Sequence, residues 1–227
     1  MSFDLSPENI RWAVQAMGVL LLSICVHEFG HAYLATKLGD DLPQKQGRVT
    51  LNPLAHADPI GTLLFPLLGI LWMGVPGFGW GKPVQVNPAR FTRRFEMRHG
   101  HMFVAFAGPF MNLAFGTLIA IIHVALIRFQ VIDATNFDVT RVLSYAVSLN
   151  FILFFFNLVP APPLDGGAVL EGLLPRRHLP KYHAYEPYGP FVLLAVIAIP
   201  GMSRIFTVPA MAVTGHLYKG LATLFGV

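Results

Sequence analysis

Residues 24–34 read Ile24-Cys25-Val26-His27-Glu28-Phe29-Gly30-His31-Ala32-Tyr33-Leu34, inside an apolar run that covers about 10–37. Two histidines four positions apart lie on the same side of a helix, so both imidazoles can reach one tetrahedral ion. Glu28, next to the first histidine, can contact a water molecule at that ion. The pattern predicts a hydrolytic Zn2+ site, one per chain, with His27 and His31 as ligands and Glu28 as the catalytic base. The alternative is a pair of interfacial histidines, but ionisable groups inside a membrane helix cost about 2.5–3.5 kcal/mol each and are functional by default.

The composition indicates an integral membrane protein. The chain has 227 residues, of which 54% are hydrophobic and 12% are charged, against roughly 25% charged in soluble domains. A net charge of +4 would also suit a nucleic-acid binder. The basic residues, however, lie in short loops beside apolar runs, as charges that set membrane topology do. We therefore predict contact with a lipid bilayer and no nucleic-acid partner.

The apolar runs predict an all-α polytopic membrane protein that forms a single membrane-embedded domain over 1–227. We expect a catalytic core at about 10–175 and C-terminal helices at about 188–225. The run at 60–75 would measure roughly 24 Å as a helix, short of the 30 Å hydrocarbon core, which favours a re-entrant segment. We expect about five transmembrane helices plus this segment, from runs at about 10–37, 60–75, 102–127, 142–160 and 189–202 and an irregular tail at 205–225.

Two short β-branched stretches lie between the apolar runs, at 48–51 and 82–86, and each is bounded by glycine and by an Asn-Pro pair. Such stretches are typical of strands. They predict a small β element at the membrane surface. An exposed strand edge there could pair with a locally unwound substrate.

A third metal ligand is expected from the run that ends in the sequence Asn157-Leu158-Val159-Pro160-Ala161-Pro162-Pro163-Leu164-Asp165-Gly166-Gly167. Its prolines break the helix at membrane depth, and irregular backbone is tolerated there only where it lines a cavity. We predict that Asp165 completes the zinc site, because catalytic zinc usually has three protein ligands. The alternative is an aspartate that caps the helix starting near Ala168.

A shared ion also constrains the topology. His27 and Asp165 both lie near the C-terminal ends of their runs, so an odd number of crossings must separate them, and the 102–127 run supplies one. The loops at 38–59, 80–101 and 175–187 then share a face that carries most of the Lys and Arg, which marks it as cytoplasmic. We predict a multi-pass cell-membrane protein with its active site in the bilayer, toward the cytoplasmic side.

These residues resemble the site-2 protease family of intramembrane zinc metallopeptidases, in its compact bacterial branch. The segment 27–31 matches the first motif of that family, and 157–167 is similar to the second. Ala107-Gly108-Pro109-Phe110-Met111-Asn112-Leu113 resembles the family's A-G-P-x-x-N segment. The resemblance implies proteolysis of a transmembrane protein substrate, in or near its membrane-spanning segment.

Three further residues are candidate substrate or oxyanion contacts. Asn157 resembles a family asparagine with that role, although a helix–helix hydrogen bond is an equal alternative. Asn112 is interpreted mainly as a packing residue. His56 lies on a loop that can approach the site, but a lone loop histidine is more often a surface group.

Two other functions remain open at this point. The same ligands would serve a membrane zinc carrier or sensor without hydrolytic activity, and an idle relative would only bind membrane helices. Glu28 argues against the carrier, which has little use for a water-activating carboxylate beside the first histidine. The sequence makes no prediction about the oligomeric state.

Overall fold

The computed structural model describes residues 6–73, 79–92, 96–133 and 137–226, and every regular element among them is helical. A six-residue π-helix, Pro59–Leu64, precedes α4, and short 3-10 turns occur at Pro88–Arg90, Arg176–His178 and Glu186–Tyr188. The α-helices are α1 Pro7–Lys37, α2 Leu42–Lys45, α3 Pro53–His56, α4 Phe65–Met73, α5 Met97–Arg128, α6 Phe137–Asn157, α7 Asp165–Leu173, α8 Leu179–Tyr185, α9 Gly189–Ala198 and α10 Arg204–Phe225.

Helix α1 has clear start and stop signals. The Ser6 hydroxyl accepts a hydrogen bond from the Asn9 N–H at 3.3 Å, and Pro7 follows it at the first helical position, where a missing N–H costs nothing. Lys37 lies in the last turn, where a positive charge is favourable against the helix dipole. The result is a 31-residue helix, about 46 Å long.

Helix α5 is the centre of the fold. It packs against α1, α6 and α7, and α10 covers α6 and α5. One buried cluster joins α5, α6 and α10 around Phe151, and another joins α1 and α4 around Trp12 and Ile70. Because α5 touches both α1 and α7, it determines how closely the histidine helix and the aspartate helix approach each other.

Among the described residues, three helices are long and apolar enough to cross a membrane: Pro7–Lys37, Met97–Arg128 and Asp138–Asn157. The expected count of about five is not supported. The run at 189–202 forms only the ten-residue α9, which ends before Pro200 and Gly201. Gly201 has a φ of 87°, a left-handed conformation that turns the chain away from a helix.

The run expected at 60–75 forms a short apolar helix, Pro59–Trp72. This length is about 21 Å, below the thickness of the hydrocarbon core. The short helix agrees with the expected re-entrant segment, although its depth in a bilayer stays a prediction. Residues 74 and 75 of that run lie outside the described part of the chain.

The predicted β element is not found, because neither 48–51 nor 82–86 forms a strand, and the described residues contain none. Side chains and isolated backbone carbonyls, rather than a neighbouring strand, bind the polar backbone groups around these segments. The Arg48 guanidinium donates to the Ala55 carbonyl and, at 3.4 Å, to the Pro83 carbonyl, and the Val84 N–H donates to Glu28. A β-branched composition predicts an extended backbone. The backbone groups of these two segments, however, do not pair with another strand, so no β element forms.

Candidate metal centre

Helices α1 and α7 bring three candidate ligands to one point. His27 and His31 lie one turn apart on α1, and their Nε2 atoms are 3.0 Å apart. Asp165 is the first residue of α7. Its Oδ2 lies 3.2 Å from Nε2 of His27, and its Oδ1 lies 3.4 Å from Nε2 of His31. One ligand atom from each residue falls within 4.8 Å of the others.

Hydrogen bonds determine which ring nitrogens face the centre. Nδ1 of His31 lies 2.8 Å from the Val104 carbonyl oxygen, which can only accept, so this Nδ1 carries hydrogen. Nδ1 of His27 lies 2.6 Å from Oδ1 of Asn112. In a neutral imidazole whose Nδ1 carries the hydrogen, Nε2 is a lone-pair donor. Both rings therefore present the nitrogen that binds a metal.

The donor set fits a zinc ion. Two imidazole lone pairs and a carboxylate converge, and Oδ2 of Asp165 is buried and accepts no hydrogen bond from any residue that the structure describes. Such a group of acceptors needs a positive charge among them, either a metal ion or an added proton on an imidazole. Two histidines and one carboxylate are a common ligand set of catalytic zinc. The carboxylate faces the two imidazoles, so the structure does not favour the alternative of a helix-capping aspartate.

Small residues make room for the imidazole pair at the contact between α1 and α5. A Cβ atom on Gly108 would lie 2.3 Å from Nε2 of His31 and 2.8 Å from Nε2 of His27. One on Gly30 would lie 2.6 Å from the Ala107 carbonyl oxygen. Real Cβ atoms do not approach other atoms so closely, so the two helices can contact at this depth only where these residues are glycine.

Glu28 lies beside the candidate ligands and is held by the segment between α4 and α5. Its Oε2 accepts a hydrogen bond from the Val84 backbone N–H at 3.0 Å. Buried Asp40 anchors the same segment further along, since its carboxylate accepts from the Asn87 N–H at 2.6 Å and from the Leu42 N–H at 3.0 Å. The Lys82 N–H donates to the His56 carbonyl at 2.9 Å. Hydrogen bonds at Lys82 and Asn87 thus fix the extended segment on either side of Val84, which contacts Glu28.

The centre opens into a cavity of about 470 Å3 lined by all four candidate catalytic and ligand residues. Val84 and Asn157 form part of its wall, and Glu171, Glu186 and Tyr182 lie on it as well. Burial, together with the nearby Glu186 and Glu171 carboxylates, raises the pKa of Tyr182 to about 12. A tyrosine is protonated at neutral pH even without this shift, so the Tyr182 hydroxyl can donate a hydrogen bond.

The three candidate contact residues have different positions. Asn157 lines the cavity, and its amide donates to the Leu153 carbonyl of its own helix at 2.9 Å. Asn112 is fully buried and bonds His27, so it does not offer the substrate contact that was one of its two expected roles. His56 is also buried, is not among the residues that line the cavity, and its Nε2 bonds the Thr50 carbonyl at 2.9 Å. A role of His56 toward the substrate stays a prediction.

Sequence reasoning missed the roles of Val84 and Gly108, and it missed Asn150 and Ser23 altogether. Asn150 donates to the Ser23 hydroxyl and accepts from Asn112. Two asparagines and a serine inside apolar helices were the available signal, because buried polar groups in a membrane need partners. No periodicity in the sequence shows which polar groups meet.

Comparisons with known proteins show the family of this chain. Residues 127–199 match the sequence profile of peptidase family M50. The chain is 40% identical over 185 residues to "Putative zinc metalloprotease YwhC" of Bacillus subtilis, a match that spans 80% of this chain and 78% of that protein. The chain belongs to peptidase family M50. The expected likeness to site-2 proteases is confirmed, and the family supports a zinc metalloprotease.

Two more relatives extend the M50 comparison. "Putative zinc metalloprotease Rip2" of Mycolicibacterium smegmatis is 30% identical over 186 residues, which are 82% of this chain and 67% of that protein. "Zinc metalloprotease MJ0392" of Methanocaldococcus jannaschii is 26% identical over 178 residues, 78% of this chain and 39% of that protein. No solved structure matches the chain. The M50 profile match contains Asn157 and Asp165 but not the histidine pair of α1.

Proposed function

We propose that this protein is a zinc-dependent intramembrane endopeptidase that hydrolyses peptide bonds in or near the transmembrane segments of membrane-anchored proteins. One observation carries the proposal. The three candidate ligands and the Glu28 carboxylate share one cavity, and both histidines lie within a helix long enough to span a bilayer. From His27 to the Lys37 end of α1 is about 15 Å of helix, which supports a site below the membrane surface.

His27, His31 and Asp165 would hold one zinc ion per chain. Such an ion supplies Lewis-acid chemistry, since it polarises a peptide carbonyl and acidifies a water molecule. The chain itself supplies the proton transfer. The Glu28 oxygen that does not accept the Val84 N–H takes a proton from the attacking water and later delivers it to the leaving amine. The Val84 contact holds this carboxylate in place through both steps.

The remaining parts of the proposal concern substrate and topology. A transmembrane substrate must unwind locally to expose a peptide bond, and its freed polar groups then need partners away from lipid. The cavity offers the Asn157 amide and the Tyr182 hydroxyl. Most Lys and Arg lie in the loops at the end of the bundle where the centre lies, which supports a cytoplasmic orientation of that end in a multi-pass cell-membrane protein.

The test uses the full-length protein purified in detergent, with zinc analysis and cleavage of a single-span membrane protein. Glu28→Gln should retain about one zinc per chain and lose cleavage. Glu8→Gln, at the exposed start of the same helix, is the matched control and should behave like wild type. Stoichiometric zinc in wild type without cleavage of any member of a substrate panel would favour the carrier or sensor instead.

A further inference from the structure

A hydrogen-bonded chain of polar residues connects the metal centre to the interior of the helix bundle. Ser23 of α1, Asn112 of α5 and Asn150 of α6 are all completely buried. The Asn112 amide donates to the Ser23 carbonyl at 3.0 Å and to Oδ1 of Asn150 at 2.9 Å. The Asn150 amide donates to the Ser23 hydroxyl at 2.9 Å and to the Ala146 carbonyl at 2.8 Å.

Backbone carbonyl groups at the ends of this hydrogen-bonded series of residues can only accept. They therefore fix the direction of every hydrogen bond in the series. Because the Ser23 carbonyl can only accept, the NH2 group of Asn112 must face it. Oδ1 of Asn112 is then the atom 2.6 Å from Nδ1 of His27, and it also can only accept. His27 must therefore carry hydrogen on Nδ1, and in its neutral form it presents the lone pair of Nε2 to the metal centre.

The two histidines differ in what holds them. The His31 ring is oriented by a backbone carbonyl, that of Val104, which no side-chain substitution removes. The His27 ring depends on a single side chain, that of Asn112. Hydrogen bonds of this kind fix the tautomer and the orientation of a metal-binding imidazole.

We propose that Asn112 is a positioning residue of the metal centre, which sets the tautomer of His27 and is itself held by Ser23 and Asn150. The inference rests on the proposed function only in taking His27 as a metal ligand. The rival explanation is that the three polar residues merely hold three helices together. The two differ because, of these three residues, only Asn112 hydrogen-bonds the imidazole of a candidate ligand.

Matched leucine substitutions separate these explanations. Asn112→Leu and Asn150→Leu each remove the hydrogen bond between α5 and α6 and each place a similar apolar volume in the same contact. Only Asn112→Leu also leaves the Nδ1–H of His27 without its acceptor. We expect zinc affinity, measured against a competing chelator, to fall about 10- to 100-fold in Asn112→Leu and far less in Asn150→Leu. Unfolding temperatures should fall in both.

Two further measurements keep the test independent of folding. Co2+ absorption reports ligand geometry directly, and its visible bands should change in Asn112→Leu but not in Asn150→Leu. Asn112→Asp restores an acceptor for His27 while losing the donors to Ser23 and Asn150, so its zinc affinity should exceed that of Asn112→Leu despite a similar loss of stability. Rescue of affinity without rescue of stability is the result that a purely structural role does not give.

The inference is overturned if Asn112→Leu binds zinc as wild type does, or if both leucine variants lose affinity equally and in step with stability. Failure of the proposed function looks different. In that case wild type itself binds no zinc, or binds it and cleaves nothing, whatever residue stands at 112.

Discussion

Gly108 of α5 lies directly against the His31 imidazole of α1, so that a Cβ atom on Gly108 would be 2.3 Å from Nε2. The same atom would be 2.8 Å from Nε2 of His27. The absence of a Cβ atom at Gly108 provides the space in which both nitrogens face Asp165. The helix contact and the candidate metal centre thus depend on the same residue.

We expect Gly108→Ala to disturb metal binding more than folding. The added methyl group must displace one or both imidazoles, and loss of proper ligand geometry should weaken zinc binding by at least about tenfold. Zinc competition assays and thermal unfolding measure the two effects separately. Gly18→Ala on α1 is the control, because a Cβ atom there meets nothing within 4 Å and alanine favours the helix. Unchanged zinc affinity in Gly108→Ala would show that the imidazoles bind in other positions.

Val84→Pro should lower catalysis without releasing the metal. Proline lacks the N–H that donates to Glu28, so the carboxylate loses the contact that orients it. A misplaced base costs about 10- to 100-fold in rate, and we expect this in kcat, with zinc content unchanged. Val86→Pro is the control, since Val86 lies in the same extended segment and lines the same cavity without bonding Glu28. If both variants lose activity equally, the segment acts through its shape rather than through the Glu28 contact.

Asp165→Asn tests the third ligand. The amide has nearly the same size, but it lacks the negative charge that zinc favours in its oxygen ligands. We expect the zinc affinity to fall by at least about tenfold and cleavage to be lost. Asp138→Asn, which changes an exposed ion pair with Arg11 3.2 Å away, should leave both properties unchanged. Full zinc affinity in Asp165→Asn would mean that another group completes the site.

The sequence was most informative where chemistry depends on local spacing. The helical repeat alone was enough to predict that the two histidines of α1 lie together. Asp165 was predicted as the third ligand because it follows a helix end broken by prolines and because the site lacked one ligand. The structure brings these three side chains to one point. Their role as metal ligands stays a prediction until metal is measured.

Sequence reasoning was weakest where the outcome depends on contacts between distant segments. The stretch at 82–86 has a strand composition, but it forms no strand: the Val84 N–H donates to Glu28, and the Asn87 N–H just after the stretch donates to Asp40. Pro200 and Gly201 were visible in the run at 189–202, yet hydropathy averaged over the run concealed the break that they cause. Asn112 was expected mainly to pack, and its bond to His27 depends on the register of α5 against α1.

The last prediction concerns the Asp40 carboxylate, which anchors the extended segment that forms part of the cavity wall. Asp40 is completely buried and accepts from the backbone N–H groups of Leu42 and Asn87. Asp40→Ala leaves both groups without an acceptor, and hydrogen bonds to a charged group are worth about 1.5–3 kcal/mol each. We expect a clear fall in the free energy of unfolding and faster proteolysis or hydrogen exchange across 79–92.

The neighbouring Asp41 provides the matched control for Asp40→Ala. Its exposed carboxylate pairs with Lys45 and Arg90, and these cations hold its pKa below the usual value. Exposed pairs of this kind contribute little to stability, so Asp41→Ala should change neither unfolding nor exchange. Because the segment that Asp40 anchors also carries Val84, cleavage should fall in Asp40→Ala while zinc stays bound. Zinc loss in that variant would instead mean that the segment supports the histidine helix as a whole, and not only its glutamate.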